Sequence, residues 1–339
     1  MYLRSKVKGL WFLVILLLLL SFSLGGGCGL VEQFMPGEEE GPVEEFEEEP
    51  AEENFRDTVF YYHYGNDYLV PVEFSIPWNE GIARAALNRI ISSGQMDPIL
   101  QEKGLKAPLP SGTEIRGLTI REGLAIIDFN QEFLNVPEGQ ERIVLDSLIY
   151  TLTEFTTVNQ VEVMIEGEYL EEFPPGDPLD QPLDRSRSLN LEISPEVEDL
   201  KDTSQVVVYF CGWGEGDLTY MVPVTRVIPS TSNLVEGALK ELLKGPRPDT
   251  ELYSDLNPQA EINSITLEEG VATVDFNKDF LIYDGGVKGE ENIIKQIVLT
   301  LTQFPEIKEV RILVEGVEPD LVWDQPMGAP EKINMFNDF

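Results

Sequence analysis

Residues 58–64 and again 206–211 form short apolar runs rich in β-branched and aromatic residues, the pattern of a β-strand. Each run leads through a glycine-containing turn, Gly65-Asn-Asp67 or Gly214-Glu-Gly216, into a second apolar run. That second run is Tyr68-Leu-Val-Pro-Val72 in one case and Tyr220-Met-Val-Pro-Val224 in the other, so both pairs are predicted hairpins. A proline inside the second strand predicts a sheet edge or a bulge, because proline donates no ladder hydrogen bond. The period then lengthens. Ile82, Ala86, Leu87, Ile90 and Ile91 recur at helical spacing, as do Leu234, Ala238, Leu239, Leu242 and Leu243. Asn79 and Asn233 are the expected N-caps, and Gly94 and Gly245 the expected stops. A second hairpin follows in each half, 114–121 with 124–129 and 261–267 with 271–276. A longer amphipathic helix (142–155; 293–304) and a final alternating strand (161–165; 310–314) close the series.

The two halves therefore run through the same elements, and they share residues as well as periods. Gly123-Leu-Ala-Ile-Ile-Asp-Phe-Asn130 matches Gly270-Val-Ala-Thr-Val-Asp-Phe-Asn277, and Thr151-Leu-Thr-Glu-Phe155 matches Thr300-Leu-Thr-Gln-Phe304. Val161 to Gly167 likewise matches Val310 to Gly316. The offset between partners moves only from 152 to 147 to 149, which makes the blocks one duplicated unit. The order β-β-α-β-β-α-β predicts an α+β fold in tandem, each repeat packing helices on a largely antiparallel sheet. The expected units are 57–193 and 205–325, with a linker at 194–204 and a C-terminal tail at 326–339.

Charge and the chain's first segment bear on placement. Arg4, Lys6 and Lys8 precede an uncharged apolar run ending in Leu24-Gly-Gly-Gly-Cys28, so 1–27 reads as a signal peptide. Small residues directly before a cysteine resemble a bacterial lipoprotein cleavage site, with Cys28 the lipidated residue. Residues 28–56 follow as an acidic tether; 38–53 alone hold ten glutamates, a self-repelling stretch expected to stay disordered. The expected location is the extracytoplasmic face of the cell membrane. A net charge of −37 excludes nucleic acid as a partner, since that affinity comes from neutralising phosphates with Lys and Arg. It favours protein partners that carry basic patches. With Cys28 lipidated, the second of two cysteines, Cys211, has no disulfide partner.

The duplication filters candidate chemistry, because a reaction performed by the ancestral unit leaves residues in both copies. Asp128 and Asp275 recur at a strand end, where they serve either as cation or substrate carboxylates or as turn-fixing residues. Gly123 and Gly270 recur as turn residues with a structural role. The single histidine, His63, aligns with Cys211, so neither a His-containing catalytic arrangement nor a metal-ligand cluster is common to the copies. No catalytic residue, metal or cofactor is expected. Tyr64 and Trp213 lie at the first hairpin tips and are the candidate interaction residues, offered either to a partner or to packing across the hairpin.

As a set, these blocks resemble the GerM-type (GerMN) domain of sporulation and spore-germination proteins. The carrying residues are the Val-Pro-Val strand, Leu242-Leu-Lys-Gly-Pro246, Leu109-Pro-Ser-Gly-Thr113, the Gly-x-Ala-x-x-Asp-Phe-Asn hairpin and the Thr-Leu-Thr-x-Phe helix end. The first copy lacks the Lys-Gly-Pro ending, and the second lacks the Leu-Pro-Ser-Gly-Thr block. The resemblance implies a non-enzymatic envelope lipoprotein whose tandem domains assemble with envelope or sporulation-complex proteins near peptidoglycan. The alternative expectation is a module that binds a wall glycan or a small solute.

Overall fold

In the computed structural model, residues 55–77, 81–174, 176–216 and 218–335 are described. The signal segment, Cys28, residues 29–54 of the acidic tether and the Asn79 cap lie outside them, whereas Phe55 and Arg56, read as the end of the tether, open the first strand. Strand β1 (Phe55–Tyr64) pairs antiparallel with β2 (Tyr68–Pro77), and their alternation buries Phe60 and Tyr62 completely. Helix α1 (Ile82–Ile90) buries Ala83, Ala86, Leu87 and Ile90, the spacing of one helix face. A short helix α2 (Met96–Gln101) leads into β3 (Leu105–Lys106), which pairs with the other edge of β1. The hairpin β4 (Ile115–Arg121) and β5 (Leu124–Phe129) follows, then a 3₁₀ turn at Gln131–Leu134 that the periodicity did not reveal. Helix α3 (Glu141–Leu152) crosses over to β6 (Gln160–Ile165), which lies parallel to β5. The parallel pairing follows from the crossover, since a helix between two neighbouring strands returns the chain in the same direction.

Short pieces finish the first repeat: β7 (Glu168–Tyr169), the small hairpin β8 (Glu172–Phe173) with β9 (Asp177–Pro178), and β10 (Leu191–Ile193). The second repeat then runs through β11 (Thr203–Trp213), β12 (Thr219–Pro229), α4 (Leu234–Lys244) and β13 (Leu252–Tyr253). It continues with β14 (Ile262–Glu268), β15 (Val271–Phe276), α5 (Gly286–Thr302), β16 (Glu309–Val314) and β17 (Met327–Gly328). Asn233 caps α4 as the sequence predicts: its Oδ1 accepts the Glu236 amide at 3.1 Å.

The first repeat forms the sheets β2-β1-β3 and β4-β5-β6-β7 and the separate pair β8-β9; the second forms β14-β15-β16-β17 and β10-β12-β11-β13, in which β10 of the first repeat joins the strands of the second. The fold is mixed α+β and largely antiparallel, as the alternating periods require. One continuous apolar core joins the two repeats, taking in Phe60, Tyr62 and Ile127 as well as Phe210, Tyr220 and Val274. The segment read as the start of the linker is structural: β10, immediately before it, pairs parallel with β12, and Ser194 is buried. The segment read as a tail contributes β17 and, at Asn334, a buried residue.

Candidate functional site

The proline of the Val-Pro-Val strand explains how the repeats meet. Tyr61 pairs with Pro71, and its amide and carbonyl are both served by α3, through Thr151 Oγ1 at 3.3 Å and Ser147 Oγ at 2.6 Å. Thr300 Oγ1 and Gln296 Nε2 serve Tyr209 in the same way at 3.1 and 3.0 Å. The nitrogens of Pro71 and Pro223 are therefore not needed by their hairpin partners. Both prolines turn their outer edges towards the other repeat, where β2 and β12 approach.

Two asparagines close that edge with matching hydrogen bonds. Asn190 Oδ1 accepts the Leu69 amide at 2.8 Å, and its Nδ2 donates to the carbonyls of Leu69 at 2.8 Å and Pro223 at 2.7 Å. Asn334 Oδ1 accepts the Met221 amide at 2.8 Å, and its Nδ2 donates to Met221 at 3.0 Å and Pro71 at 2.7 Å. Leu69 corresponds to Met221 and Pro71 to Pro223, so each asparagine binds its own repeat and the other one in the same pattern. Backbone amides and carbonyls facing a proline have no ladder partner, and buried ones must be satisfied by side chains. An amide side chain, with both a donor and an acceptor, does this at each position.

The seam has further fasteners that are not duplicated. Arg226 is buried, stacks 4.8 Å from the Phe210 ring and donates to Glu192 at 3.0 Å and to the Glu241 carboxylate at 3.4 Å. Tyr68, from the first repeat, donates to the same Glu192 at 2.5 Å. Burial pushes the Tyr68 hydroxyl up from its ordinary range, helped by the neighbouring Glu192, which keeps it a donor. Tyr220 reaches back to the Lys103 carbonyl at 2.8 Å.

Tyr64 belongs to this seam: it is buried rather than offered to a partner, and it packs against the other repeat. It is 4 % exposed, packs edge-on against Tyr220 and donates its hydroxyl to the Glu251 carbonyl at 3.4 Å. The same oxygen accepts the Trp213 amide at 2.7 Å. Its ring lies against Gly212, its own counterpart in the second repeat, where an added Cβ would come within 3.0 Å of the ring. Trp213 stays outside: its indole is 64 % exposed and stacks on Tyr253 with ring centres 4.1 Å apart. His63 is buried beside the first hairpin tip and donates through Nε2 to Asn66 O at 2.9 Å. Desolvation lowers its pKa. Cys211 is fully buried, and burial pushes its thiol up, which removes the thiolate needed for reactivity.

The repeated aspartates tie sheet strands to turns. Asp128 Oδ1 accepts the Gly167 amide at 2.9 Å, and Asp275 Oδ1 accepts the Gly316 amide at 2.8 Å. Gly123 and Gly270 have φ of 87° and 85°, each after a glutamate that is also left-handed. Two successive positive φ values make the tight turn whose twist suits a hairpin. Among the described residues no group of three His, Cys, Asp or Glu side chains is placed to hold a metal ion, and no helix is long and apolar enough to cross a membrane.

The fold and its seam define a class: a tandem α+β repeat protein whose two copies form one continuous body. The chain belongs to the family described as "Germane: Sporulation and spore germination", which matches residues 58–171 and 207–320. It is 32% identical over 280 residues to the spore germination protein GerM of Bacillus subtilis (strain 168), covering 79% of this chain and 75% of that protein. The solved tandem GerMN domains of the sporulation protein GerM from Bacillus subtilis superpose with a TM-score of 0.69 at 31% identity, over 83% of this chain and 99% of that one. The chain is thus a GerM homologue with two tandem GerMN domains.

Proposed function

We propose that this protein is a non-enzymatic scaffold of the cell envelope, lipid-anchored through Cys28, whose joined repeats assemble with other envelope proteins near peptidoglycan during sporulation or germination. The observation that carries the reading is the seam. Matched asparagine bonds, a continuous core and the Arg226 cluster hold the two domains in one orientation. A protein that positions partners needs such fixed geometry, whereas domains joined by a flexible linker leave their surfaces free to reorient. The homology to sporulation proteins supports the setting.

Trp213 is the residue best suited to make contact. Its indole is exposed, yet its orientation is held by the Tyr253 stack and by the Tyr64 bond to its amide. A preorganised, exposed tryptophan is typical of interface hot spots, because little side-chain freedom remains to be lost on binding.

The test is in-cell photocrosslinking from position 213 together with the Trp213→Ala variant. Capture of a specific envelope protein by the first, and fewer heat-resistant spores at normal protein level in the second, are the expected results. Wild-type spore yield without any crosslinked partner would sink the reading. For the anchor, Cys28→Ala releases the protein from membranes if lipidation holds it there; retention of that variant contradicts lipidation.

A further inference from the structure

After β6 and after β16 the chain returns along the outer edge of the strand, and the two repeats treat that edge differently. In the second repeat the edge is closed from within. Gln325 Oε1 accepts the Ile312 amide at 2.6 Å, and Arg311 lies 3.7 Å from Glu318 of the returning loop. The equivalent positions in the first repeat are Gln181, Val163 and Glu162, so a carboxylate stands where the second repeat has a guanidinium. The offset between the repeats falls from 149 at Val163 and Ile312 to 144 at Gln181 and Gln325, so the first repeat carries five more residues in the return. That length is taken up by β7 and the β8–β9 hairpin, pinned by buried Phe173, which packs edge-on against Phe133 at 5.5 Å.

The longer return leaves a groove of about 650 Å³ beside β6. Backbone groups of alternate β6 residues face it. Val161 exchanges hydrogen bonds with Leu183 at 2.8 Å in both directions, and the Val163 carbonyl accepts the Leu170 amide at 3.0 Å. The Val163 amide shares this outward direction, because strand residues two apart point the same way. Among the described residues no acceptor meets it, although Val163 is buried. Four carboxylates line the groove, those of Glu162, Glu171, Glu172 and Asp180, and no lysine or arginine does. Among the described residues none of the four has an ion-pair or side-chain hydrogen-bond partner.

The second repeat shows what completes such an edge: one cation and one oxygen that accepts from the strand. The first repeat supplies neither from its own chain. A peptide segment carrying lysine or arginine supplies both. A backbone carbonyl accepts from Val163, the cationic heads meet the carboxylates, and the aliphatic stems lie along Leu170, Leu179 and exposed Tyr169. Leu183 and Leu170 already occupy the neighbouring backbone groups of β6, so the occupant gains one ladder bond and charge supplies most of the affinity. A second copy of this chain is disfavoured, because each copy carries a net charge of −37. The volume falls within the roughly 300–1,000 Å³ of ligand-sized sites, enough for a few residues. We propose that the groove beside β6 binds a basic, extended segment of a partner protein. This rests on the scaffold reading, to which it adds the chemistry of the partner.

The test titrates the full chain, purified in detergent, with an acetylated and amidated pentapeptide of alternating lysine and valine, read by calorimetry and by amide shifts. The peptide with serine in place of lysine is the control. Saturable binding is expected, with shifts at the Val163, Tyr169 and Leu170 amides and slower hydrogen exchange at Val163. Glu162→Arg, which installs the residue of the second repeat, should weaken binding about tenfold, and Glu171→Gln with Glu172→Gln about fivefold, the scale of two solvent-facing ion pairs. Any basic peptide is drawn to so acidic a chain, so Glu268→Gln with Glu306→Gln removes two exposed carboxylates of the second repeat; screening by salt should hold that change below about twofold. Melting temperatures monitor the variants, and the shift map of the unaltered chain depends on none of them. The proposal is overturned by no saturable binding at about 1 mM peptide, by equal affinity for the serine peptide, by wild-type affinity in Glu162→Arg, or by an equal loss in the second-repeat pair. The same amide shifts on concentrating the protein without peptide would give the groove to a second copy and also overturn it. None of these results bears on partner capture at Trp213, so the groove and the scaffold reading fail separately.

Discussion

Asn334→Ala tests the seam most directly. The side chain is 6 % exposed and meets three backbone groups: the Met221 amide at 2.8 Å, the Met221 carbonyl at 3.0 Å and the Pro71 carbonyl at 2.7 Å. Its own carbonyl accepts the Glu73 amide, a bond the substitution leaves in place. Alanine strands one buried N–H and weakens the satisfaction of two carbonyls. Each buried unsatisfied group costs about 1–3 kcal/mol, and the two carbonyls less because water can enter from an adjacent cleft between the repeats. The expected loss is about 2–4 kcal/mol, a sizeable part of the roughly 5–15 kcal/mol that holds an ordinary domain together. Urea unfolding followed by far-UV circular dichroism measures it as a lower midpoint, and separation into two transitions would report uncoupled repeats. Asn190→Ala should cost a similar amount, because its bonds match one for one. Asn334→Asp is the sharper control. It keeps the acceptor for Met221 but sets a carboxylate against two carbonyls, so it should destabilise more than alanine at neutral pH and recover as acid protonates it. A loss below about 0.5 kcal/mol for Asn334→Ala, the range of ordinary surface substitutions, would refute the argument that this asparagine closes the seam.

Arg226→Met leaves Glu192 buried without its cation, while Glu241 keeps Lys244 at 2.6 Å, and should cost about 3 kcal/mol in the same assay. Wild-type stability would show that the cluster is neutral in its effect. Gly212→Ala puts a methyl 3.0 Å from the Tyr64 ring, so it should lower the melting temperature, and Tyr64→Ala in the same chain should remove most of that penalty. His63 has its pKa lowered by burial, with Lys106 adding to the effect and Asp67 and Glu251 opposing it. The unfolded chain therefore takes up the proton first: the stability due to neutral His63 is present above about pH 6.5 and is lost as pH falls towards the folded value. Denaturant midpoints measured from pH 7.5 to 5 should show this fall, and His63→Gln should flatten it; an equal slope in that variant would remove the assignment.

Much of the fold was legible in the sequence because its signals are local. The Glu122-Gly123 and Glu269-Gly270 turns, the Asn233 cap and the strand alternation each act through residues within a few positions. The edge position of β2 followed from the missing N–H of Pro71, whereas β12 departs from that expectation: β10 pairs with it at Thr225–Val227, just past Pro223. The short 3₁₀ turns and α2 escaped because segments of four to six residues show no reliable period. The choice at Tyr64 between contact and packing stayed open for a related reason: a strand residue next to a turn has no local signal for what covers it. Its burial comes from Glu251 and Gly212, both far along the chain.

The sequence by itself determined the duplication, the α+β class and the hairpins. Only the tertiary structure decided what lies between the copies. Asn190 meets partners 121 and 33 residues away, and Asn334 meets partners 113 and 263 residues away. A buried asparagine is polar, so hydrophobic patterning assigns it to a loop. It becomes structural only when two proline-bearing edges, each with backbone groups that no ladder can satisfy, are brought together by the fold.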